Sequence, residues 1–233
     1  MRVLFVGNSH TYFNDMPQTF ADLCEALTGD RPQVTMLAFS GRALAWHCEE
    51  YFSLRFALLY GGYDYCVIQQ RAHSFPGEES LAEGAERIGA LCAAGGTKLA
   101  LFMTWAQKEH PENLAEMSRA YRAVSRKCGA ILLPVGEVFA AVRAAHPEIE
   151  LYWKDGAHAS PYGSFAIAAT AAYRLTGRND RPLPAGAGRD FGVVFDTPDK
   201  KPLALEDKAR VRCPLDPARA EAVCEIVRKV LAG

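Results

Sequence analysis

An α/β fold is predicted by three observations. Short apolar, β-favouring runs recur five times along the chain, and each gives way to a glycine-containing or polar turn. A helix-compatible segment follows each turn. Such alternation, with right-handed crossovers, builds a parallel sheet covered on both faces, so the expected architecture is a three-layer α/β/α sandwich around five strands. The 233 residues, 49% of them hydrophobic, suffice for one sizeable core, and a single domain is expected over 1–233.

The first strand is the unbroken run Val3-Leu4-Phe5-Val6, which stops at Gly7-Asn8-Ser9. A helix is expected over 15–28, where Phe20, Leu23 and Leu27 share one face and Gly29 supplies a stop. Strand two is expected over 34–39, ending at Ser40-Gly41, and a single helix over 42–60, ended by Gly61-Gly62. The third strand, 65–68, runs directly into Gln69-Gln70-Arg71. A helix over 78–94 and a strand over 98–103 lead to Thr104-Trp105. The helix over 111–127 carries Leu114, Met117, Tyr121 and Val124 as one stripe. Strand five is expected over 130–133 and a short helix over 136–145. Leu151-Tyr152-Trp153 then introduces Lys-Asp-Gly-Ala-His, followed by a small-residue helix over 164–175. Residues 178–215, rich in Pro, Gly and charge with one apolar run at 193–195, read as a long loop excursion. A helix over 216–231 returns to the core through Ala220, Val223, Val227 and Val230.

Composition removes several function classes. With 26 Lys and Arg against 27 Asp and Glu, the chain has no basic field for nucleic acid. No apolar stretch approaches the roughly 20 residues that span a bilayer. Seven scattered cysteines without a CxxC pair read as reduced core residues. The opening shows no signal-peptide pattern, and a cytoplasmic location is expected. G-x-G-x-x-G, the Walker A loop, H-E-x-x-H and G-x-S-x-G are all missing. No His, Cys, Asp or Glu cluster has metal-ligand spacing, and neither metal nor cofactor is expected.

Two short segments carry chemistry. Ser9 lies in a turn at the carboxyl end of a buried strand, where open α/β sheets bind their ligands. Acyl transfer by serine also needs a base, a group that orients the base, and donors for the oxyanion. Asp155-Gly-Ala-His158 sets a carboxylate three residues before an imidazole in a turn, close enough for the acid to accept from the ring. The remaining histidines, 10, 47, 73, 110 and 146, lack a comparable acid; His10 and His73 are retained as pocket liners only.

GNSHTYFNDMP resembles the first block of the SGNH (GDSL-like) hydrolase superfamily, in the branch reading GNS-x-T, with His10 standing where a bulky apolar residue is usual. DGAH resembles its last block, D-x-x-H, and Gly41 resembles the glycine of the second. YDYCVIQQRA resembles the branch whose third strand ends in a glutamine: Gln69 matches, while Gln70, Arg71 and Ala72 depart. Thr104-Trp105 also matches that branch. The resemblance covers about 1–177 and implies strand order 2-1-3-4-5. It further implies a metal-independent hydrolase of carboxylic esters, removing a short acyl group such as acetyl from a small molecule or carbohydrate. In that scheme Ser9 is the nucleophile, His158 the base and Asp155 its orienter. The oxyanion meets the amides of Ser9 and Gly41 and the Gln69 side chain, and His10, Gln70, Arg71, His73 and Trp105 line the pocket. Acyl transfer to an acceptor alcohol uses the same residues, and a non-catalytic binding protein is the rival from another class.

Overall fold

The computed structural model describes residues 1–184 and 215–233. Most of the expected excursion, its apolar run at 193–195 and Cys213 lie outside the described residues. The five strands are β1 (Arg2–Gly7), β2 (Gln33–Ala38), β3 (Tyr65–Ile68), β4 (Lys98–Phe102) and β5 (Ile131–Leu133). All are parallel, in the order β2-β1-β3-β4-β5, with helices on both sides of the sheet, as expected. The helices are α1 (Ser9–Tyr12), α2 (Met16–Thr28), α3 (Leu44–Glu49), α4 (Tyr51–Tyr60), α5 (Gly77–Ala94), α6 (Leu114–Cys128), α7 (Val135–Ala145), α8 (Pro161–Thr176) and α9 (Pro217–Ala232). None of them is long and apolar enough to cross a membrane.

One compact unit comprises Met1–Thr11 and Pro32–Glu137 and contains the whole sheet. Val3, Leu4, Phe5 and Val6 are all buried because β1 is covered on both faces, which explains its continuous rather than alternating apolar pattern. Leu4, Val6, Ile68 and Leu101 pack with Leu44, Leu54, Leu58, Leu81 and Ile88 in one core. The chain leaves β1 for β2 on one side and returns to β3 on the other, so the carboxyl ends of β1 and β3 form the topological switch point. The helix expected over 42–60 is divided: Glu50, at ψ 47°, leaves the helical region and separates α3 from α4.

The second unit comprises Tyr12–Arg31 and Val138–Gly233. Here α8 packs against α2 and α9. Its surface is almost wholly buried, which explains the run of small and apolar residues all round it. It begins at Pro161, earlier than expected, because the Ser160 hydroxyl accepts from the Gly163 amide and caps the first turn. A Cβ at Gly163 would stand 2.2 Å from the Leu151 carbonyl, so only glycine lets α8 sit this close to the 151–159 loop.

Candidate active site

The candidate residues are distributed over the two units. In the first, Asn8 opens α1 by accepting the His10 amide on its Oδ1 at 3.0 Å, an N-cap interaction that presents Ser9 at the first helical position. The Asn8 Nδ2 donates to the Arg42 carbonyl at 2.9 Å. An aspartate could not make this bond, since a carboxylate has no hydrogen to donate there. Arg42 closes a turn in which its amide donates to the Phe39 carbonyl, with Gly41 in third position at φ 70°. Such a turn calls for glycine, and the Asn8 bond brings it beside the Ser9 turn.

Gln69 continues β3 beyond Ile68, its amide donating to Val6. Its Oε1 accepts from the Asn8 amide at 2.9 Å and from the Thr11 hydroxyl at 3.0 Å, while its Nε2 donates to the Gln70 carbonyl. The reverse amide orientation would set donor against donor at Asn8. Gln69 therefore braces the Ser9 turn, and one of its two N–H groups is already engaged. The packing is tight: a Cβ on Gly7 would lie 2.4 Å from Thr11 Oγ1 and 2.6 Å from Gln69 Oε1.

Gln70, expected among the pocket liners, is completely buried. Its Oε1 accepts from the amides of Leu44 and Arg71, fastening the start of α3. The two glutamines face opposite ways because successive side chains of an extended strand alternate. Arg71 is half-buried. His10 meets both His73 and Trp105, at ring separations of 5.1 and 5.0 Å, forming an aromatic cluster next to Ser9 in sequence. Trp105 itself is fully buried.

In the second unit, Asp155 Oδ1 accepts the amides of Ala157 and His158, each at 2.9 Å, and Oδ2 lies 2.6 Å from His158 Nδ1. Nδ1 thus carries the proton shared with the acid, which makes Nε2 the basic nitrogen of the neutral ring. Burial alone would raise the Asp155 carboxyl; the bonds from His158 and the two amides, with the imidazole charge, outweigh it and hold the group below its ordinary value. Gly156, at φ 68°, lets the loop turn, and the Tyr152–Ala159 bridge closes it.

Several contributors escaped the sequence reading. His47 is buried, and its Nε2 donates to the Gly7 carbonyl at 2.8 Å, a carbonyl that also accepts from Phe39. Burial holds this imidazole below its usual value, partly offset by the Gly7 bond. Phe13 stacks on the His158 ring with centroids 4.4 Å apart and planes at 19°. Asn14, left-handed at φ 53°, donates to the Ala159 carbonyl at 3.0 Å and to Ser164 Oγ at 2.8 Å. Only the order N-D immediately before Met16-Pro17 hinted at this: Asn and Asp tolerate the left-handed region best, and Asp15 occupies it too. Among the described residues, Cys24, Cys48, Cys66, Cys92 and Cys224 are buried thiols and Cys128 is half-buried; Cys24 and Cys224 are each pushed up to about 12, chiefly by burial. Among the described residues, no three His, Cys, Asp or Glu side chains gather as a metal site.

Fold and residues together define a class: an α/β chain with a capped serine at the sheet's switch point and a carboxylate-bound imidazole in a late loop. No family model matches the sequence, and no curated protein matches it. Among solved structures, the chain is similar to a DUF4886 family protein from Bacteroides uniformis, at 18% identity and a TM-score of 0.69, covering all of this chain and 95% of that one. It is similar to a lipase/acylhydrolase from Enterococcus faecalis at 15% identity and a TM-score of 0.60, over 76% of this chain and 97% of that one. A psychrotrophic esterase, EstA from Pseudoalteromonas sp., shares 12% identity with a TM-score of 0.55, over 77% and 99% of the two chains. At these identities the likeness is one of fold.

Proposed function

We propose that the chain is a serine hydrolase of carboxylic esters that removes a short acyl group from a small molecule or carbohydrate. The observation that carries this reading is the Asp155–His158 pair, whose 2.6 Å bond to Nδ1 leaves Nε2 as the base. The esterase and lipase names of the fold's relatives support it. So does the chain's continuity: Phe13, which stacks on His158, lies four residues after Ser9, and Asn14 fastens the same segment to Ala159.

In the proposed reaction, Ser9 Oγ attacks the ester carbonyl as its proton passes to His158 Nε2, and Asp155 stabilises the resulting imidazolium. The amides of Ser9 and Gly41 receive the oxyanion, with the second N–H of Gln69 as a third donor. His158 returns the proton to the departing alcohol, and water then releases the acyl group by the same route in reverse. His10, His73 and Trp105 are assigned to the pocket wall.

Labelling with a fluorophosphonate tests this reading. Wild type should label at Ser9 and hydrolyse p-nitrophenyl acetate, whereas Ser9→Ala should lose both, with roughly a 10³-fold or larger drop in rate and an unchanged melting temperature. A folded wild-type sample that neither labels nor hydrolyses would favour a binding protein.

A further inference from the structure

The helix α4 is apolar at eight of its ten positions, Ser53 and Arg55 being the exceptions. Leu54 and Leu58 are buried, and α4 packs on α3 and α5. Its outer face carries Phe52, Phe56 and Tyr60, which at four-residue spacing stand one above another. These side chains are 84%, 67% and 63% exposed, and neighbouring Tyr51 is 44% exposed. The rings meet in two pairs, Phe56–Tyr60 at a separation of 4.9 Å and Tyr51–Phe52 at 5.9 Å. A groove of about 340 Å³ between α4 and α5, lined by Cys48, Tyr51, Leu54, Arg87, Ala90 and Leu91, extends the apolar surface. A surface helix that met only water would place polar residues along this row.

We propose that two copies of this chain pair through this face, α4 against α4 and antiparallel, with the two-fold axis at Phe56. The row is its own complement. An axis through its middle residue sets Phe56 against Phe56 and each Phe52 against the other copy's Tyr60, as an isologous contact requires. Rows at i and i+4 are also the ridges that packed helices interlock. The area agrees: four rings at these exposures present about 500 Å². Pairing two such faces buries about 1,000 Å², the lower bound for a specific interface. The dimer should accordingly be weak, with a dissociation constant of micromolar order. Charge argues against a lipid surface as the occupant. Arg55 is the sole cation on α4 and lies over the Tyr60 ring at 5.9 Å, and exposed Glu49 and Glu50 precede the row, whereas helices that lie on membranes are rich in Lys and Arg.

Sedimentation velocity on the full chain, from about 1 to 200 µM, tests the pairing. Wild type should shift from monomer to dimer, and Phe56→Lys should remain monomeric with an unchanged circular dichroism spectrum and esterase rate. Phe52→Lys and Tyr60→Glu should each be monomeric alone yet form a heterodimer when mixed, because the antiparallel register sets the new lysine opposite the new glutamate. A wild type that stays monomeric at the highest concentration overturns the proposal, as does a dimer that survives Phe56→Lys or a mixture that does not associate. Monomeric wild type that pellets with phosphatidylcholine vesicles, while Phe56→Lys does not, would assign the face to lipid instead.

Discussion

Gln69 braces the Ser9 turn and is proposed as an oxyanion donor, two roles that mutation can separate. Removing its side chain in Gln69→Ala leaves the Asn8 amide and Thr11 hydroxyl without their buried acceptor. Each orphaned group costs about 1–3 kcal/mol, and a chain of this size loses roughly 2–4 °C of melting temperature per kcal/mol. A lower melting temperature accompanied by a fall in kcat is therefore expected; a fall in kcat at constant melting temperature would mean that Gln69 serves the oxyanion and not the frame. Gln69→Glu keeps the acceptor but turns a carboxylate oxygen toward the Gln70 carbonyl, and it should be at least as damaging. Asp155 supplies a second residue-scale test. Its carboxyl is held below the ordinary value against the opposing effect of burial. A depressed carboxyl stabilises the folded chain above its unfolded pKa and loses that contribution as pH falls through the folded one. Melting temperatures of wild type and Asp155→Asn should thus differ most near neutral pH and converge in acid. A constant difference across the range would show that the ionised form contributes nothing.

Between elements, the β1–α1 turn is tied to its neighbours by bonds that cross long stretches of sequence. His47, on α3, is the tie with the clearest test, because its Nε2 and the Phe39 amide converge on the Gly7 carbonyl. His47→Phe keeps a ring but removes the donor, while the Gln amide can carry an N–H to the same point. Loss of one net hydrogen bond is worth about 1 kcal/mol, and small shifts of a nucleophile are felt strongly in rate. His47→Phe should lower kcat on the order of tenfold with KM unchanged, and His47→Gln should recover most of it. Equal losses in both variants would reduce His47 to a packing residue. In the second unit, the stacked Phe13 and the Asn14 bonds do the corresponding work for the His158 loop.

For the whole molecule, the proposed reaction requires residues from both units to act together. Ser9→Ala and His158→Ala should each cost roughly 10³-fold or more in kcat, and the double variant should be little worse than either. Asp155→Asn should cost less than His158→Ala, since the acid orients the ring without itself taking the serine proton. Additive losses in kcat would mean that the three residues do not form one catalytic unit.

Much of this architecture was legible locally. Five apolar runs, the Gly-Asn-Ser turn and Asp155-Gly-Ala-His158 are short-range patterns, and backbone preference acts on them within a few residues. The acid–imidazole bond belongs to that class because both partners lie in one turn. The break at Glu50, the opposed directions of Gln69 and Gln70, the donor role of Asn8 toward Arg42, and the parts played by His47 and Asn14 were not legible. Apart from the break at Glu50, each depends on a partner 26 to 150 residues away, and the hydrogen bond that selects the side chain's orientation exists only after the sheet has formed. The sequence by itself determined which segments become strands and that Ser9 and the Asp155–His158 pair lie in turns. Only the tertiary structure decided which buried amide faces which backbone group, since a side chain's periodicity reports whether it is buried and not what it meets there.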